Sequence, residues 1–121
     1  TGKITRKGNG EELRDYINIH DAAELSVKAL EKEYRNKFLM ITGSKTLKVK
    51  DVLNLINEQL GNSINIEYVD DNSDGHYKLT PYSFKPRSSI KLTTNHETDL
   101  GEGIFNLIHE INQEINENEK E

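Results

Sequence analysis

Residues 38–42 read FLMIT, an almost wholly apolar run that ends at Gly43, in a chain that is otherwise strongly polar. Of its 121 residues 33% are hydrophobic and 31% charged, against about 25% charged in an ordinary globular chain. So short an apolar run has the length of a strand rather than of a helix, and its lack of alternation predicts a strand buried on both faces. That one segment needs layers on either side of it. The flanking sequence supplies them: Ala22, Leu25, Ala29 and Leu30 before the run, and Val49, Val52, Leu53, Ile56 and Leu60 after it, fall at helical spacing.

The remaining elements follow from period and punctuation. Lys3–Lys7 and Arg14–Ile19 read as strands on either side of Gly8-Asn9-Gly10, a tight turn at which Gly and Asn accept positive φ. Asp21, with Glu24 three places on, predicts a capping box that opens the first helix, near 21–33. Gly61 stops the second, near 49–60, and Ile64–Val69 alternates as a strand. Residues 70–98 hold both prolines and read as a long irregular stretch, of the kind that more often carries function than filler. Asp99 and Glu102 open a last amphipathic helix through Leu100, Ile104, Leu107, Ile108, Ile111 and Ile115. The fold class is therefore α/β, a small mixed sheet with about three packed helices. Residues 1–116 form one domain and 117–121 a disordered acidic tail.

Charge and motif searches narrow the chemistry. A net charge of −5 without a basic run argues against nucleic acid or a membrane surface as partner. The absence of cysteine excludes a disulfide framework and thiolate metal sites, and with no signal peptide or membrane span in view it suits a cytoplasmic chain. A start at Thr1 suits an excised or processed piece, or the removal of a tag. The opening glycines do not make a dinucleotide loop, because position 13 is Leu and a strand follows. "ITGSKT" is not a P-loop, because Phe38 and Ser44 stand where Gly and Lys are needed. His20-Asp21 falls at a helix cap, and His76, His96 and His109 are scattered without ligand spacing. His109, in "HEIN", is a boundary residue of the last helix.

"GNGEELRDYINIHDAAELSVKAL" resembles a segment of extended short-chain dehydrogenase/reductase proteins, the NAD-dependent epimerase/dehydratase family that acts on nucleotide sugars: a glycine turn, Arg-Asp-Tyr/Phe-Ile, then a helix beginning Asp-x-Ala. "KFLMITGSKTLKVKDVLNLINEQLG" is similar to that family's next unit, a buried strand, a glycine turn and a helix, with Met40 or Leu39 where Asn is usual and Lys48 where Ser is usual. "DLGEGIFNLIHEI" resembles its terminal helix, and together these stretches cover most of the chain.

The resemblance implies the C-terminal, substrate-binding portion of a Rossmann-type enzyme lacking the cofactor-binding half. NAD(P) belongs to the parent protein and no cofactor to this part. No catalytic Tyr-x-x-x-Lys is present: the residues four beyond Tyr16, Tyr34, Tyr68, Tyr77 and Tyr82 are His20, Phe38, Asn72, Pro81 and Pro86. Without that base and its lysine, nothing moves a hydroxyl proton while a hydride reaches the cofactor, so the part is expected to be inert alone. Arg14 holds the family's diphosphate-binding position, and guanidinium suits a diphosphate because its planar fork meets phosphate oxygens two at a time. The alternative for Arg14 is a surface ion pair with Asp15 or Glu11. The family's Arg-x-Gly-Asp is replaced by "DGHYKLTPYSFKPR", where Lys78 and Arg87 are candidate second phosphate contacts and Tyr82 a candidate stacking partner for a base or sugar ring. Partners implied are the nucleotide-sugar substrate and the absent N-terminal cofactor domain, whose removal bares an apolar face that can drive a homodimer. A stand-alone, non-catalytic α/β binding or interaction module is the other reading.

Overall fold

The computed structural model describes residues 2–70 and 88–119. They form a small mixed α/β domain of three α-helices and six strands, the strands associating in three pairs. β1 (Gly2–Lys7) pairs in parallel with β5 (Ile64–Val69), β2 (Leu13–Asp15) antiparallel with β4 (Thr46–Lys48), and β3 (Phe38–Ile41) in parallel with β6 (Ser89–Leu92). The helices are α1 (Ile19–Lys28), α2 (Val49–Gln59) and α3 (Leu100–Asn118), with one 3-10 turn at Lys32–Tyr34.

Parallel pairs need crossovers, and this chain makes them from its helical segments. α1 packs on β3, while α2 packs on β4 and touches α3. The apolar run at 38–41 is a strand, as its length predicts, but it is not buried on both faces. Phe38 is 77% exposed, and Leu39, Met40 and Ile41 are half-buried: α1 packs on β3, and β6 is its only strand partner among the described residues. Among the described residues, Leu25 of α1 (2% exposed) and Leu92 of β6 (3%) are the buried apolar side chains.

Several boundaries differ from the sequence expectation; α1, expected near 21–33, runs Ile19–Lys28, because the backbone turns extended at Glu31 before the 3-10 turn at Lys32–Tyr34. The strand expected over Arg14–Ile19 stops at Asp15, since its partner β4 has only three residues before α2 begins at Val49. The cap of α1 is Asn18, whose side chain accepts from His20 N–H at 2.8 Å, and not Asp21. Asp21 lies in the first turn and is buried, accepting from the Thr98 backbone N–H and hydroxyl at 2.8 Å each. Within the stretch read as irregular, β6 is a strand, and α3 runs two residues beyond the expected 116. α3 is capped as predicted, Asp99 accepting from Gly101 and Glu102 N–H at 2.9 and 3.3 Å.

Candidate functional site

The glycine turn joins strands of two different sheets rather than the arms of a hairpin. Gly8 and Gly10 both have positive φ, +83° and +71°. A Cβ on Gly10 would lie 2.8 Å from a Tyr68 ring carbon and 2.9 Å from Lys50 Cβ, so the turn is tight as well as left-handed. Three backbone bonds fix it: Gly8 N–H donates to Val69 at 2.8 Å, Val49 N–H to Glu12 at 3.0 Å and Lys50 N–H to Gly10 at 2.9 Å. The turn is thereby tied to the end of β5 and to the first turn of α2. Arg14 emerges two residues beyond this clamp.

Charged side chains surround the same turn. The Arg6 guanidinium donates to Glu12 Oε1 at 3.1 Å, with both side chains largely buried, and Glu12 Oε2 has no hydrogen-bond partner. Arg14 is half-buried and donates from Nη1 to the Leu13 carbonyl at 2.7 Å; it also makes a further contact. The two acids considered as its surface partners are engaged elsewhere. Asp15 accepts from the hydroxyls of Thr46 at 2.6 Å and Thr42 at 3.4 Å, and Glu11 binds Lys48 at 2.7 Å and also Lys50. Hydrogen bonds from Lys48 and then Lys50 hold the Glu11 carboxyl at a pKa of about 2. Beside Arg14, burial raises the Tyr16 hydroxyl above its ordinary value, against the opposing influence of Arg14 and Arg6.

Tyr16 is held from behind by Gly43. A Cβ on Gly43 would sit 1.6 Å from the Tyr16 carbonyl oxygen, so backbone passes against backbone here, and the Gly43 carbonyl in turn accepts from Lys91 Nζ at 2.8 Å. Arg6, Glu12, Arg14 and Tyr16 thus share one corner of the molecule, and Arg6 and Glu12 carry no sequence signal that separates them from ordinary surface charges. The other predicted contacts, Lys78, Tyr82 and Arg87, lie outside the described residues.

A concavity of about 760 Å³ opens between the β2–α1 connection and the first half of α3, with Tyr16 at its edge. Ile17, Leu47, Leu100, Ile104 and Leu107 are among its apolar lining, and Glu97, Asp99, Glu102 and Glu110 its acids. Hydrogen bonds from the Ser44 hydroxyl and N–H lower the pKa of Glu97.

No family model, curated protein or solved structure matches this chain. Among the described residues no helix is long and apolar enough to cross a membrane, and no three His, Cys, Asp or Glu gather as metal ligands.

Proposed function

We propose that this chain is the nucleotide-sugar-binding portion of an NAD(P)-dependent epimerase/dehydratase with a Rossmann-type cofactor half, and that it is inactive by itself. The observation that carries the reading is the position of Arg14 directly after a glycine turn clamped by β5 and α2. A guanidinium on so fixed a backbone is aimed at low entropic cost, which is what bidentate capture of a diphosphate requires. Arg14 holds the diphosphate, and Tyr16, half-buried beside it, offers a hydroxyl and a ring face to the rest of the ligand. Lys78 and Arg87 supply the second phosphate contact and Tyr82 the stacking face. The cofactor half covers the exposed Phe38 and Ile90 on the β3–β6 pair and Val27 and Leu30 on and just beyond α1, and it brings the tyrosine base and the lysine that this chain lacks. The assembled enzyme works in the cytoplasm.

Two sparse parallel pairs favour this reading over a stand-alone interaction module, because parallel strands are ordinarily covered on both faces. The test is the reading frame upstream of Thr1. A glycine-rich βαβ unit followed by Tyr-x-x-x-Lys is the expected finding, and an upstream frame without either overturns the proposal in favour of the stand-alone module.

A further inference from the structure

α3 carries an apolar stripe that the rest of the domain covers only at its beginning. Leu100, Ile104, Leu107, Ile111 and Ile115 are separated by four, three, four and four residues, so they share one face along the whole 19-residue helix, about 28 Å long. Leu100 and Ile104 are half-buried, whereas Leu107, Ile111 and Ile115 are exposed. The stripe leads out of the 760 Å³ groove. The groove's lining on α3 ends at Glu110, and two more turns of stripe continue beyond it. A small molecule seated in the groove leaves those turns bare, while an elongated apolar segment covers both.

Charge defines what that segment must carry. α3 holds Glu102, Glu110, Glu114 and Glu117 and no Lys or Arg, and the first two line the groove together with Glu97 and Asp99. Lys45 is the groove's single lysine. The four acidic members are exposed, whereas Ile17, Leu47, Leu100 and Ile104 are half-buried, which is the distribution of an acidic rim over an apolar floor. The acids in the second half of α3 also oppose the helix macrodipole, which favours cations near the C-terminus, so helix stability does not account for them. We propose that the groove and the stripe leading out of it dock a cationic amphipathic helix of a partner protein, its leucine-like ridge on the stripe and its lysines or arginines on the acidic rim. Tyr16 lines the near end of the groove as well as lying beside Arg14, so the two surfaces adjoin, but the inference is carried by the stripe and the acidic rim of α3 and stands without the nucleotide-sugar reading.

The test uses this chain and a fluorescein-labelled synthetic 18-residue helix with Leu at the 4-3-4-4 spacing and Lys on both flanks, followed by fluorescence anisotropy. A second peptide keeps every Leu and replaces each Lys by Glu. The lysine peptide is expected to bind at least tenfold more tightly than the glutamate peptide, and to weaken as salt rises from 50 to 500 mM. In the variant E110K/E114K the preference reverses. Both replaced residues are exposed, and lysine near the end of α3 suits its dipole, so this variant folds. Leu107→Asp, also at an exposed position, abolishes binding of either peptide. Equal binding of the two peptides overturns the proposal as undirected stickiness. Failure of both overturns it too, and if light scattering then shows a dimer that Leu107→Asp dissociates, the stripe belongs to a second copy of this chain.

Discussion

Two residues, Gly43 behind Tyr16 and Asp21 at the approach to α3, fix how neighbouring segments pack. Gly43 lies where a Cβ would meet the Tyr16 carbonyl at 1.6 Å, a distance that no side-chain rotation relieves because the obstacle is backbone. Gly43→Ala is therefore expected to lower stability by about 3 kcal/mol, at the upper end of the usual overpacking range, read as a fall in the urea midpoint. An unchanged midpoint means that the two backbone segments, at Tyr16 and at Gly43, do not approach as described. Asp21 works in the opposite way, by satisfying donors. Its carboxylate takes both the N–H and the hydroxyl of Thr98, linking α1 to the segment that enters α3. In Asp21→Ala those donors lose a buried partner, at a cost of about 1–3 kcal/mol, and hydrogen exchange at Thr98 should rise. The sequence marks Asp21 as a cap-competent residue, but Asn18 is equally competent, and only the path of residues 93–99 decides which of them faces the helix N-terminus.

At the scale of elements, the clamp on the glycine turn makes a pH prediction. Glu11 reaches Lys48 at the end of β4 and Lys50 in the first turn of α2, and its folded pKa of about 2 lies below the ordinary 4.5. A depressed carboxylate contributes fully above pH 4.5, and its contribution disappears as pH falls toward 2. Urea midpoints between those values should drop more steeply for the native chain than for Glu11→Gln, and equal slopes would show that the clamp adds nothing. The elements themselves were unequally readable from sequence. α2, β5 and α3 could be placed because each repeats its period without interruption: Val49 to Leu60 and Leu100 to Ile115 at helical spacing, Ile64 to Val69 at alternation. β4 and β6 could not. β4 has three residues and no room for a period, and β6, SIKL, becomes a strand only through pairing with Phe38–Ile41 some fifty positions away. Arg14 is a candidate only through the resemblance of its stretch to the nucleotide-sugar family, with the glycine turn beside it, whereas Arg6 and Glu12 meet through the fold alone.

For the whole molecule, the described residues bury just two apolar side chains, Leu25 and Leu92, and leave Ile19, Val27, Leu30, Phe38, Phe105 and Leu107 exposed. So thin a core makes each buried group matter more. Leu25→Ala is expected to cost about 2–5 kcal/mol, a large part of the 5–15 kcal/mol of an ordinary domain, and to broaden or abolish the thermal transition measured by circular dichroism. The exposed apolar surface is what a domain shows when a neighbour that covers it is absent. On the proposed reading the neighbour over Val27, Leu30 and Phe38 is the cofactor half, whereas Leu107 belongs to the stripe on α3, and the chemistry left to this chain is recognition of a diphosphate by Arg14. The most direct measurement is calorimetric titration of the full-length protein, native and Arg14→Ala, with UDP, dTDP, GDP and CDP. Charge-assisted hydrogen bonds contribute about 1.5–3 kcal/mol each, so at least one nucleoside diphosphate should bind the native protein and bind Arg14→Ala about tenfold to a few hundredfold more weakly, with NAD(P) affinity unchanged. If no nucleoside diphosphate binds the native protein, or if Arg14→Ala binds as tightly and instead loses thermal stability, Arg14 is a structural residue and the proposed function is wrong.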